Sequence, residues 1–193
     1  MITRYLVLLS FVLTLAACKT ASEYPRALGP TSPYGGAPHE IPGKIETEHY
    51  DDGAPEEAYH DVDEKNHGAD YRGVTHVDIE KRPDASNGYG IGWTRAGEWL
   101  VYTVHVKESG TYTAEFPVAS NKKGGTFHLE FDGVEVSGSI EVPDTRSWQK
   151  LEMVTEDGIR LERGVYVMKM VMDTDGESGG VGDIDYVRFT RVD

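Results

Sequence analysis

The sequence predicts an all-β sandwich, and three observations carry that prediction. Apolar and polar residues alternate with period two in well-separated segments, turn signals recur about every 8–12 residues, and no stretch keeps a helical period over several turns. Taken in order, Leu100, Tyr102, Val104 and Val106 alternate with Val101, Thr103 and His105. Tyr112, Ala114, Phe116 and Val118 alternate with Thr111, Thr113 and Glu115, and Phe127, Leu129 and Phe131 alternate with Thr126, His128 and Glu130. Asp132-Gly133 suits a tight hairpin turn because both residues tolerate positive φ, and Val134 and Val136 resume the pattern after it. Tyr166–Asp173 and Ile184–Thr190 read as two further strands.

With 193 residues, 38% of them hydrophobic and 27% charged, the chain has enough apolar surface for one domain with extensions. Acidic residues outnumber basic ones, 33 against 19, for a net charge of −14. A surface this negative repels phosphate backbones, so nucleic acid is excluded as a partner. The single cysteine, Cys18, excludes an internal disulfide framework.

The N-terminus is organised differently. Arg4 precedes an apolar run from Tyr5 to Ala16, too short to span a bilayer but suited to export. The run ends in Leu15-Ala16-Ala17-Cys18, which resembles the signal of bacterial lipoproteins. The resemblance implies cleavage after residue 17 and lipidation of Cys18. Lys19, where an aspartate would retain the protein at the inner membrane, implies the outer membrane. Residues 19–40 carry Pro25, Pro30, Pro33 and Pro38 with Gly29, Gly35 and Gly36 and show no apolar periodicity. They read as a tether with an end-to-end distance of roughly 25 Å. The expected organisation is a signal peptide at 1–17, a lipidated cysteine and tether at 18–40, and a sandwich domain at 41–193.

Two constellations carry chemistry. Trp93 is flanked by glycine where a strand is expected to begin, and Trp148 lies in the polar stretch Asp144-Thr-Arg-Ser-Trp. Trp99, between Glu98 and Leu100, reads instead as a core tryptophan. Indoles on loops expose large apolar faces, which suit the C–H face of a sugar ring; a neighbouring polar residue then fixes orientation. Capping of the sandwich ends is the alternative role for the same indoles. Separately, Glu46 and Glu48 stand at i and i+2, so both leave one face of a strand. Two carboxylates that close repel unless a cation or strong donors lie between them, and hard oxygen ligands suit calcium.

The blocks Ile41–Asp52, Gly88–Val104, Thr145–Lys150 and Val181–Phe189, in that order, resemble carbohydrate-binding module family 6 from about residue 41 to 191. The resemblance implies a jelly-roll β-sandwich of two antiparallel sheets that binds polysaccharide without catalysis. Carried over by position, it makes Trp93 and Trp148 the stacking aromatics and Asp183 the residue that bonds sugar hydroxyls. The family commonly has asparagine there; an ionised aspartate only accepts hydrogen bonds, which disfavours anionic glycans. It also makes Glu46, Glu48 and Asp185 ligands of a structural calcium, completed by a carbonyl from the Asn87–Gly90 stretch.

Other motifs carry little. The seven histidines show no metal-ligand spacing. Gly88-Tyr-Gly-Ile-Gly92 lacks the following helix of a phosphate loop, and Asp173-Thr-Asp-Gly176 lacks the closing glutamate of a calcium hand. No G-x-S-x-G is present, so acyl-transfer chemistry has no support. The expected function is a lipid-anchored, non-catalytic module that captures β-glucan, xylan or agar-type galactan at the cell surface for separate glycoside hydrolases. The alternative is an adaptor lipoprotein whose sandwich binds a protein partner.

Overall fold

Alternation of branched and aromatic residues with polar ones puts one row of side chains on each face of a strand, and the inward rows here make a single core. In the computed structural model, which describes residues 29–193, the strands are β1 (His39–Ile41), β2 (Gly43–Glu46), β3 (Tyr59–His60), β4 (Ile79–Lys81) and β5 (Tyr89–Ile91). They continue with β6 (Trp99–Val106), β7 (Gly110–Ala119), β8 (Thr126–Phe131), β9 (Val134–Glu135) and β10 (Ile140–Glu141). The last four are β11 (Glu152–Leu161), β12 (Gly164–Thr174), β13 (Asp183–Ile184) and β14 (Tyr186–Arg191). One sheet runs β1-β6-β12-β8-β10, with β3 on β6 and β9 on β8. The other runs β2-β14-β7-β13-β5-β4, with β11 on β7. The expected sandwich is present, with one departure: β1 pairs with β6 in parallel.

The predicted strands fall where the alternation placed them. Tyr102, Val104 and Val106 of β6 and Phe127 and Leu129 of β8 are fully enclosed, as are Tyr112, Phe116 and Val118 of β7. Phe116 meets Phe127 edge-on across the two sheets at 5.2 Å, and Phe131 meets Phe189 the same way at 6.1 Å. Such pairs contribute about 0.5–1.5 kcal/mol beyond their buried area. Asp132 and Gly133 both take positive φ, 49° and 76°, as the tight turn requires.

Three expectations differ. Trp99 is not a core residue: its ring lies on the outer face of β6, stacked on His60 at 6.2 Å and under the Lys169 ammonium at 4.5 Å. Residues expected in the tether pack on the domain instead. Ser32 exchanges backbone hydrogen bonds with Asp52, the Thr31 hydroxyl donates to buried Asp51 (2.9 Å), and Tyr34 stacks on His49 at 4.2 Å. Ordered contact thus begins before residue 41. Finally, β2 stops at Glu46, so Glu48 sits in the following turn rather than on the same strand face.

The expected signal segment 1–17, the lipidation residue Cys18 and the first part of the tether lie outside the described residues. Among the described residues, no helix is long and apolar enough to cross a membrane.

Candidate functional site

At the end of the sheet formed by β13, β5 and β4, two loops bring Trp93 and Trp148 together over Asp183. Trp93 follows β5 rather than opening a strand, and its φ of 52° is a left-handed backbone that costs of order 1–3 kcal/mol. Thr94 holds it there. Its hydroxyl donates to Gly182 O (2.5 Å) and accepts from Gly182 N (3.1 Å), while Thr94 O accepts from Val181 N (2.9 Å). The indole is 50% exposed, with His67 stacked beside it at 6.5 Å. The Trp148 loop is fastened at Thr145, whose hydroxyl donates to Ser120 O (3.0 Å) and lies 2.9 Å from Ser147 O, and at Asp144, which accepts from Arg146 N and Lys122 N, each at 2.8 Å.

Between the indoles lies an open cleft of about 420 Å³ lined by Glu80, Trp93, Trp148, Gln149 and Asp183. The three residues expected to form the sugar site are therefore brought together. Gly92 gives the Asp183 carboxyl room, since a Cβ there would stand 3.2 Å from Asp183 Oδ1.

The floor contains a group that the sequence reading missed. Arg82 is 1% exposed, and its five N–H donors are all used. Nε and Nη2 grip Asp84 at 3.0 and 2.9 Å, Nη1 donates to Asp183 Oδ2 (2.8 Å) and Glu80 Oε2 (3.3 Å), and Nη2 donates to Trp148 O (2.8 Å). Asp183 is thus one partner in a buried charge network. Burial works against the Arg82 charge, but the Asp84 hydrogen bonds and the surrounding carboxylates outweigh it and raise its pKa. Burial pushes the Asp183 carboxyl up to about 7, against the pull of Arg82. Glu80 Oε1 accepts from the Gln149 amide at 3.1 Å. The accessible polar groups of the floor are consequently mostly acceptors, fitted to ligand hydroxyls.

A second carboxylate group lies where the line of β13 and β14 breaks at Asp185. Ser86 joins two of the expected ligands: its Oγ lies 2.8 Å from Glu46 Oε2 and 3.2 Å from Asp185 Oδ1, and its N–H donates to Asp185 Oδ2 (2.9 Å). Lys44 pairs with Glu46 at 2.5 Å. Glu48 is fully buried; Asn87 donates to its Oε1, and its Oε2 has no hydrogen-bond partner. Burial pushes the carboxyls of both Glu48 and Asp185 upward. As they stand, no three His, Cys, Asp or Glu side chains among the described residues converge closely enough to hold a metal ion. Of the carbonyls expected nearby, Gly88 O already accepts from Arg82 N (2.9 Å).

A sequence model of the carbohydrate binding module (family 6) matches residues 67–191, and the chain belongs to that family. It is 30% identical over 118 residues to the clotting factor G alpha subunit of Tachypleus tridentatus, a match covering 60% of this chain and 17% of that relative. Among solved structures it resembles a β-1,3-glucan-binding family 6 module from Bacillus halodurans, with TM-score 0.60, 22% identity and coverage of 81% of this chain and all of that one. It also resembles the C-terminal family 6 module of LamC, a marine laminarinase from Zobellia galactanivorans. That match has TM-score 0.58 and 26% identity, covering 77% of this chain and 98% of the other. The cleft of this family 6 domain is built on an arginine whose N–H groups are all taken.

Removing one partner of a buried, hydrogen-bonded charge cluster leaves the others uncompensated. Arg82→Met is expected to cost about 3–5 kcal/mol in chemical denaturation. Asp183→Asn is expected to cost less, because Arg82 keeps its two-point grip on Asp84. Equal losses would show that Asp183 rather than Asp84 anchors the guanidinium.

Glu98 gives the Trp93 loop a pH dependence. Its Oε2 accepts from Arg95 N (2.9 Å), and burial, with the Asp61 charge adding, pushes its carboxyl up to about 7. An acid raised above its ordinary 4.5 holds its proton more tightly in the folded protein, so its contribution is complete below about 4.5 and lost as pH rises through about 7. Thermal melts across that window should fall more steeply for the wild type than for Glu98→Gln; parallel profiles would remove this carboxyl as the cause.

Proposed function

We propose that the protein binds a neutral β-linked polysaccharide, foremost a β-glucan, without cleaving it, and holds it at the bacterial cell surface. The observation that carries this is the pair of indoles flanking an acceptor floor in an open cleft. Sugar hydroxyls donate to Glu80 and Asp183 while ring C–H faces lie on the indoles. β-1,3-Glucan is favoured because the Bacillus halodurans module binds it and the Zobellia galactanivorans module belongs to a laminarinase. Binding without hydrolysis is supported by the floor carboxylates. Glycosidases set two carboxyls on opposite sides of the scissile bond, whereas Glu80 and Asp183 are both held by one nitrogen of Arg82.

Trp93→Ala and Trp148→Ala should each cost about 2 kcal/mol or more of binding. The measurement is retardation in affinity gels of laminarin, xylan, mixed-linkage glucan, cellulose derivative and agarose, with unfolding curves unchanged. Retention of wild type and variants alike would move the ligand elsewhere on the surface.

Anchoring is proposed from the sequence alone: Leu15-Ala16-Ala17-Cys18 supports cleavage before Cys18 and lipidation of its thiol, and Lys19 supports the outer membrane. Separate glycoside hydrolases would then draw on the captured glycan.

Structural calcium is proposed at Glu46, Glu48 and Asp185. The buried, unpartnered Glu48 Oε2 is the feature that fits a cation, and Lys44 and Ser86 would have to yield their present contacts. An ion there would tie the turn after β2 to the break between β13 and β14. At calcium near 100 times its dissociation constant, chelation should lower stability by about 2.7 kcal/mol, restored by calcium and read by thermal melts. An unchanged melt in excess chelator would falsify the assignment.

A further inference from the structure

The space in front of the indoles does not stop at Asp183. On the side away from Glu80 and Gln149 a second hollow of about 120 Å³ is again bordered by Trp93, Trp148 and Asp183, and beyond them by Arg95, Ser178 and Gly180. Three side chains are common to both hollows, and both are open to solvent. Part of the border of the second is the chain returning from β12 to β13, which is rich in glycine. A Cβ on Gly180 would stand 2.7 Å from Thr94 O, so only glycine lets this return lie against the Trp93 loop. Gly179, at φ 83°, turns the chain without adding a side chain. Ser178 bends back on its own loop, its hydroxyl donating to Gly180 O at 3.3 Å.

We propose that the site takes the interior of a polysaccharide chain, not its terminus. One sugar unit lies between the indoles, and the chain leaves past Gln149 on one side and past Ser178 on the other. A site for chain ends needs a wall on one side of the stacking position, to exclude the next unit. Here the borders beyond the indoles carry Glu80 and Gln149 on one side and Arg95 and Ser178 on the other, and both hollows stay open to solvent between them. This inference rests on the glycan-binding reading above and specifies how that cleft is occupied.

The test compares two size fractions of linear β-1,3-glucan at equal mass, titrated with the protein. If the gels retain xylan or mixed-linkage glucan instead, two size fractions of that polymer are used. Interior binding gives the same amount of protein bound per gram in both fractions, because the number of interior positions per gram barely changes. Binding per gram that falls as chain ends become rarer overturns the proposal while leaving glycan binding intact. Retention by none of the polymers overturns both.

Ser178→Tyr, placing a ring in the smaller exit, checks the path independently. It should weaken binding of a hexasaccharide roughly tenfold while leaving that of a disaccharide nearly unchanged, since a single obstructed contact region has effects of this size. Unchanged hexasaccharide affinity in a variant that melts like the wild type would also overturn it.

Discussion

A guanidinium removed from water is stable only when every N–H finds an acceptor, and Arg82 meets that condition with four residues from three separated stretches of the chain. Asp84 and Glu80 lie beside it in sequence, Asp183 comes from β13, and the carbonyl of Trp148 comes from a loop of otherwise independent course. Its charge also allows Glu80 and Asp183 to stand side by side on the cleft floor, where two unpaired carboxylates would repel. One buried ion therefore sets both the chemistry of the floor and the position of one stacking ring.

The frame beneath is what keeps the loops in place. Aromatic pairs Phe116–Phe127 and Phe131–Phe189 cross between the sheets and tie them together at two places. From this frame Thr94 clamps the unfavourable backbone of Trp93 to Gly182. The strain at Trp93 persists because hydrogen bonds on either side determine its conformation, which leaves the indole exposed and fixed.

Long, alternating strands were legible in the sequence because their inward rows are continuous: β6, β7, β8, β12 and β14 all follow the pattern of period two. The two- and three-residue strands β3, β4, β5 and β13 are too short to establish a period, and the last three of them carry the cleft. β11 escaped notice for another reason: as an edge strand with a bulge between Glu156 and Ile159, it buries little besides Ile159 and Leu161. Within the site, Trp93 and Trp148 were legible from their setting and from the family resemblance, and Asp183 from the resemblance alone. Arg82 was not, since its bond to Asp183 joins residues 101 positions apart, and no local pattern distinguishes a buried arginine from a solvated one. Asp183 was read as a lone acceptor for the same reason.

The saturated arginine also makes the cleft a filter for charge. Arg82 offers no free donor to a ligand, and the carboxylates around it outnumber it three to one on a chain whose net charge is −14. On the Glu80 side of the indoles, a sulfated or uronic polymer would meet a repulsion that salt screens, over a distance of about 8 Å at physiological ionic strength. A neutral glucan meets none. In a mixture of cell-wall and matrix polymers, dilution would therefore sharpen the choice between them and brine would blunt it, even though the stacking contacts themselves are indifferent to salt.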